Sequence, residues 1–287
     1  MKFLLVAMLL AFGSVGAAAG EPEALRIPAH PQDQGIGAPR ELDALFWSQP
    51  GSGPYRAVVM MHGCAGMRSA SGALMVRDAD WGRRLNALGY VVLHVDSLSS
   101  RGERSLCSQA GERRVRMSVE RARDAYAALV YLQSRPEVRP DGLALMGWSN
   151  GAGTVLYSLS RDNRARPAGL KYDFVAGVAF YPGCRSLSQR SNPWRPVAPV
   201  LLLTGEADDW TPAAPCVLLA ERTGPLLEVR TYPGAYHDFD APDMKIRVLK
   251  DVGSTATGTA TTGTDPAARE DALRRVPDFL ARFAEPR

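Results

Sequence analysis

The chain of 287 residues has little of what metal and redox proteins use: four cysteines and four histidines, with no C-x-x-C and no H-x-x-x-H spacing among them. Donors so scattered exclude the usual zinc frameworks, and neither a metal nor any other cofactor is expected. Long apolar runs are missing too. The N-terminal run from Leu4 to Phe12 falls short of the roughly 20 residues a bilayer-spanning helix needs, so no stable membrane insertion of the mature chain is expected. No Lys/Arg-rich run with interleaved aromatics appears, and the 34 basic and 30 acidic residues nearly cancel to a net charge of +4. That balance argues against a nucleic-acid partner. The arginine-dense stretch from Arg101 to Arg123 also holds Glu103, Glu112 and Glu120, and reads as a solvated helix face with its lead-in loop. No internal repeat and no second core are visible.

What is present begins with a leader. Lys2, the run from Leu4 to Phe12 and Ala17-Ala18-Ala19 form the charged, apolar and small-residue zones of a secretory signal peptide over residues 1–19, which predicts export to the periplasm or the exterior. In an oxidising compartment an even number of cysteines favours disulfides, and Cys64, Cys107, Cys184 and Cys216 allow about three connectivities. Residues 20–39, rich in Pro, Ala and Glu, read as an irregular arm, and residues 40–287 as a single domain.

That domain shows short, continuous apolar runs at Ala57 to Met61, Tyr90 to Val95, Leu143 to Gly147, Val175 to Tyr181, Val200 to Thr204 and Leu227 to Tyr232. Continuous rather than alternating hydrophobicity marks strands covered on both faces, hence a parallel sheet. Helical faces lie between them: Trp81, Leu85 and Leu88, ended by Gly89, then Val119, Ala122, Tyr126, Leu129 and Leu132, stopped by Pro136. Thr154 to Leu159, Ala213 to Ala220 and Asp271 to Phe283 supply three more. The alternation predicts a doubly wound α/β fold with helices on both faces. The stretches between Ser149 and His237 are too short for a large cap. Gly253 to Thr264, all Gly, Ser, Thr and Ala, reads as a flexible loop.

Gly147-Trp148-Ser149-Asn150-Gly151 follows one of these strands and opens a helix. This is the setting of a nucleophile elbow, whose sharp turn strains the serine backbone and whose glycines avoid collision with the neighbouring strand and helix. Serine is a poor nucleophile at neutral pH and needs a base to take its proton and a carboxylate to orient that base. Gly205-Glu206-Ala207-Asp208-Asp209 supplies two candidate carboxylates, Asp208 and Asp209, beyond a strand. His237 follows the strand Leu227 to Tyr232, whereas His30 lies in the arm and His62 and His94 end strands that precede the nucleophile. The oxyanion formed on attack needs two backbone donors, which are expected from Asn150 and from Cys64 in the turn His62-Gly63-Cys64-Ala65-Gly66. Trp148, beside the nucleophile, is a candidate substrate contact.

Taken together, His62-Gly63-Cys64-Ala65-Gly66, Asp96-Ser97-Leu98-Ser99-Ser100-Arg101-Gly102, Gly147-Trp148-Ser149-Asn150-Gly151, Gly205-Glu206-Ala207-Asp208 and Tyr236-His237-Asp238-Phe239 resemble the dienelactone hydrolase family of the α/β-hydrolase superfamily. The resemblance implies that Asp208 rather than Asp209 is the third triad member. The enzymes that give the family its name carry a cysteine at the elbow, where this chain has Ser149, so the resemblance implies ester rather than dienelactone hydrolysis. It also implies that Arg101 pairs with a substrate carboxylate; an ion pair with Glu103 or Asp96 is the structural alternative. The function expected is hydrolysis of small or medium carboxylic esters or lactones through an acyl-enzyme, with a peptidase, an acyltransferase or a catalytically silent binding domain as the other readings. Neighbouring strands of such a sheet bring Cys64 to Cys107 and Cys184 to Cys216, the two disulfides expected.

Overall fold

The computed structural model describes residues 20–33, 38–110 and 114–284; the expected leader, residues 1–19, lies outside them. The chain enters through β1 (Glu23–Pro28), β2 (Glu41–Trp47) and β3 (Tyr55–Met61), then alternates: α1 (Val76–Ala87), β4 (Val91–Val95), α2 (Glu120–Gln133), β5 (Val138–Trp148), α3 (Asn150–Ser158) and β6 (Ala176–Phe180). It continues through the short α4 (Arg185–Ser188), β7 (Val200–Gly205), α5 (Ala214–Thr223) and β8 (Leu227–Tyr232), a small hairpin of β9 (Arg247–Leu249) and β10 (Ala260–Thr262), and the closing α6 (Pro266–Ala284). Eight strands form one sheet in the order β1-β2-β4-β3-β5-β6-β7-β8. Pairing is parallel from β4 through β8 and antiparallel for β1 with β2 and β2 with β4.

The strand pattern explains the two layers of helices. Along β3, Ala57, Val59 and Met61 face a core shared with Ala122, Tyr126 and Leu129 of α2 and Val155 of α3. Val58 and Met60 face the opposite core, with Trp81 and Leu85 of α1 and Val276 and Phe279 of α6. Each Val, Leu or Phe buried in this way contributes about 1.5–3 kcal/mol relative to exposure. Gly89, at φ 88°, reverses the chain between α1 and β4, as its position in the sequence predicts. Among the described residues no helix is long and apolar enough to cross a membrane.

Two expectations need correction. The arm is not irregular: residues 23–28 form edge strand β1, whose Ile27 is buried against Leu42 of β2. Its polar and proline-rich composition reflects an edge that needs burial on one side only. The segment Gly253 to Thr264 is not a structureless loop either, because Ala260–Thr262 pairs with Arg247–Leu249 and bridges to His237.

The sheet also positions the functional loops. Met61 is in register with Gly147, Trp148 with Phe180, Phe180 with Leu203, and Gly205 with Tyr232. The carboxyl ends of β3, β5, β6, β7 and β8 therefore form one row. β4 and β5 lie on opposite sides of β3, which makes the carboxyl end of β3 a topological switch point, the place at which α/β sheets bind ligands.

Candidate active site

Ser149 sits between β5 and α3 at φ 51° and ψ −114°, a conformation that non-glycine residues rarely adopt and that the surroundings must enforce. The neighbours show how. A Cβ on Gly147 would stand 2.5 Å from the carbonyl carbon of Gly151, and one on Gly151 would stand 2.5 Å from the His62 carbonyl oxygen. Only glycine lets α3 start this close to the end of β3. The Phe180 carbonyl accepts the Ser149 N–H at 2.9 Å, and the Ser149 carbonyl accepts the Gly153 N–H at 2.9 Å.

As the first residue of α3, Asn150 carries an N–H with no intrahelical acceptor. The turn after β3 lies beside it: the point a Gly63 Cβ would occupy is 3.8 Å from Ser149 Cβ and 3.7 Å from the Trp148 carbonyl oxygen. Cys64 is held by its bridge to Cys107 and by the Leu106 N–H, which donates to the Cys64 carbonyl at 2.8 Å. The second predicted pair, Cys184 and Cys216, is also bonded. Arg121, fully buried, joins the start of α3 to the turn after β3 by donating to the Asn150 side-chain oxygen and, at 2.6 Å, to the His62 carbonyl. Burial pulls its guanidinium down to about 10, against the attraction of Asp124 and Asp96. His62 and His94, both buried, are held neutral by desolvation, His94 at about 3.

His237 stands on the loop after β8, packed between the rings of Tyr181 and Trp210 at centroid distances of 4.4 and 4.7 Å. Its Nδ1 lies 2.7 Å from Asp208 Oδ2, and its Nε2 is buried without a hydrogen-bond partner among the described residues. A bond from Nδ1–H to the carboxylate fixes the tautomer that leaves Nε2 free to accept a proton. Desolvation disfavours the imidazolium, but the charge of Asp208 and its hydrogen bond outweigh it and raise the His237 pKa above 6.5. Asp208 is itself set by the N–H groups of Trp210 and Thr211 at 2.9 and 2.8 Å and by the Thr211 hydroxyl at 2.9 Å. Asp209 points elsewhere, accepting the Thr261 N–H at 2.7 Å and its hydroxyl at 2.8 Å. The geometry thus brings Asp208, not Asp209, to the imidazole.

Two predicted contacts are placed differently. Arg101 gives its donors to both oxygens of Asp124 at 2.9 and 2.8 Å, to Asp33 at 2.6 Å and to the Ser97 carbonyl at 2.7 Å. It makes a structural cluster, and its partners are neither Glu103 nor Asp96, because the turn Ser99–Arg101 aims it at α2 and the chain after β1. Trp148 is fully buried, stacked on Phe180 with its indole N–H on Asp240 at 2.9 Å, so it packs under the elbow rather than lining a cleft.

Sequence reasoning missed Arg77, Arg121, Tyr181, Asp240 and Thr262. The Thr262 hydroxyl is within reach of both Asp238 Oδ2, at 2.7 Å, and the His237 carbonyl, at 3.1 Å. Of these only Asp240 carried a local signal, three residues after His237.

The model of the dienelactone hydrolase family matches residues 42–284. No curated protein matches the chain. Among solved structures it is similar to the dienelactone hydrolase-like promiscuous phosphotriesterase P91 from metagenomic libraries, with a TM-score of 0.61 and 21% identity over 93% of this chain and 100% of that one. Thermogutta terrifontis esterase 2 gives 0.64 and 15%, over 97% and 100%. Porphyromonas gingivalis dipeptidyl peptidase 4 gives 0.61 and 18% over 92% of this chain, which spans only 36% of that peptidase. At such identities the likeness to solved structures is one of fold.

Proposed function

From the premise that the chain belongs to the dienelactone hydrolase family and is a hydrolase of the α/β-hydrolase fold, we propose that it hydrolyses small or medium carboxylic esters through an acyl-enzyme on Ser149. The observation that carries this reading is a buried imidazole whose Nδ1 is tied to Asp208 at 2.7 Å and whose ring packs on Tyr181, next to the Phe180 carbonyl that holds the strained Ser149. Ser149 Oγ attacks the acyl carbon as His237 Nε2 takes its proton. The tetrahedral oxygen accepts from the N–H groups of Asn150 and Cys64, which are fixed before charge develops and so cost no reorganisation. The imidazolium then returns the proton to the departing alkoxide. A water, deprotonated by the same Nε2, releases the acid. The burial of the His237–Asp208 pair favours this division of labour, because a carboxylate in a water-poor site stabilises the imidazolium more strongly than in solvent.

The protein acts outside the reducing cytoplasm in this reading, which the two disulfides support. A fluorophosphonate probe tests the nucleophile: the wild type is labelled and Ser149→Ala is not. A panel of p-nitrophenyl esters of increasing chain length, with a dienelactone and a peptide amide alongside, tests the substrate class. Faster cleavage of the amide or the lactone than of every ester would overturn it.

A further inference from the structure

We propose that Arg77 is a positioning residue for this site, locking the His237 loop to the elbow and the oxyanion turn through a buried ion pair with Asp238. The inference rests on the functional reading of Ser149, His237 and Asp208 given above.

Arg77 occupies the first turn of α1, with 10% of its side chain exposed. Its Nη1 donates to Asp238 Oδ1 at 2.6 Å and to the Tyr181 hydroxyl at 3.2 Å, while Nε and Nη2 donate to Asp78 Oδ1 at 3.0 and 2.8 Å. The guanidinium carbon lies 4.9 Å from the centroid of the Trp148 ring. Nη2 is 3.9 Å from the point a Gly63 Cβ would occupy, a point that is 3.8 Å from Ser149 Cβ. One side chain therefore touches the elbow tryptophan, the end of β6 and the His237 loop, and lies against the turn after β3.

Burying a guanidinium costs several kcal/mol unless it is fully paired, and an apolar side chain would fill the same space at less risk. Here the charge does what an apolar group cannot. Asp238 sits at φ 60°, a left-handed conformation that needs outside support in a residue other than glycine. Arg77 on one carboxylate oxygen and Thr262 on the other supply it, directly behind the imidazole. Tyr181, whose ring packs on His237, is anchored through the same group and through Asp240, which its hydroxyl meets at 2.6 Å.

The charged and titratable groups facing His237 come from four elements. Asp208 projects from the β7–α5 loop, Asp238 from its own loop, Arg77 from α1 and the Tyr181 hydroxyl from the end of β6. Trp210, Thr211 and Thr262 complete the shell without charge. Asp208 and Asp238 favour the imidazolium and Arg77 opposes it. Removing Arg77 leaves Asp78, Asp238 and Asp240 uncompensated and strengthens proton binding; removing the Asp238 charge weakens it. A residue that merely filled space would change stability and leave that titration alone.

The test is an NMR titration of the His237 imidazole in the wild type, Arg77→Gln, Asp238→Asn and the double variant, with kcat and KM for a p-nitrophenyl ester measured on each. The His237 signal is assigned by its loss in His237→Gln. Arg77→Gln is expected to raise the imidazole pKa by about half a unit to one unit and Asp238→Asn to lower it by a similar step. In the double variant it should return close to the wild-type value. Misplacing the imidazole should cut kcat about 10- to 100-fold in Arg77→Gln while KM changes little, and Arg77→Lys should restore the titration but only part of kcat. An imidazole titration unmoved in both single variants, or a loss carried by KM alone, overturns the proposal. If Arg77→Gln lacks a native near-ultraviolet circular dichroism spectrum, Asp238→Asn decides: an unmoved titration overturns it and a lowered pKa supports it. The titration is read without substrate, so a wild type that turns over no ester would sink the functional reading separately.

Discussion

Replacing Cys64 and Cys107 together by serine is expected to cost both stability and turnover, whereas replacing Cys184 and Cys216 costs stability alone. The bridges close loops with sequence separations of 43 and 32, for which chain entropy gives about 4 kcal/mol each at 25 °C. The logarithmic dependence on loop length makes the two differ by only about 0.3 kcal/mol. Their functional positions are not equivalent. Cys64 bears a proposed oxyanion donor on its own backbone, and loss of one such donor costs about 100- to 1,000-fold in kcat. The turn keeps other ties, the Leu106 N–H on the Cys64 carbonyl at 2.8 Å and the approach of Gly66 to the Arg104 carbonyl. A loosened donor rather than a lost one then predicts a fall of about 10- to 100-fold in kcat. Urea unfolding gives the stabilities, and p-nitrophenyl acetate turnover at 25 °C, where each variant is folded, gives kcat. Equal kcat losses in the two double variants, or unchanged kcat without the Cys64–Cys107 bridge, would refute the reasoning.

Ser149→Ala and His237→Ala should each reduce ester turnover to near background, and the double variant should be little worse, because triad members act as a unit; multiplicative losses would count against the assignment. Asp208→Asn should cost about 10,000-fold in kcat by disturbing the tautomer of His237, while Asp209→Asn, which loses only its bonds to Thr261, should stay near wild type; the reverse ranking would reassign the carboxylate. The base must be neutral to act, so kcat/KM should rise with pH through a midpoint above 6.5, the raised value of His237. In Asp208→Asn burial is left to dominate and the residual activity should have its midpoint lower, a shift that pH–rate profiles of both proteins would detect. Gly151→Ala places a methyl 2.5 Å from the His62 oxygen and 2.7 Å from the Met61 carbonyl carbon, which should destabilise the protein by about 3 kcal/mol in urea unfolding and displace the Asn150 donor. Wild-type stability in that variant would mean that α3 can retreat from β3.

The elements legible in the sequence are those whose signal is local. Short continuous apolar runs at Ala57 to Met61, Tyr90 to Val95, Leu143 to Gly147, Val175 to Tyr181 and Val200 to Thr204 announce strands buried on both faces because each residue there needs a covered side. The elbow is legible because its strain demands glycine at 147 and 151, a requirement met within five residues. His237 and the Asp208–Asp209 pair are readable by order, since each follows a strand that ends in the same row as β5; only the resemblance favoured Asp208 over its neighbour. The cysteine pairs follow from which strands are neighbours.

What the tertiary structure decided depends on partners far apart in the chain. Arg77 and Asp238 are 161 positions apart and Arg101 and Asp124 are 23; no periodicity links either pair, and an arginine read by itself belongs at the surface. Only the packed fold shows Arg101 committed to Asp33 and Asp124 and Trp148 lying under the elbow. Edge strand β1 and the β9–β10 hairpin escaped the pattern because a strand buried on one side at most needs no continuous apolar run. The sequence by itself determined the sheet, the strand-to-helix turn that carries Ser149 and the order of Asp208 and His237 after it. Packing decided which buried charges hold them, because desolvation makes an ion pair's effect depend on all that surrounds it.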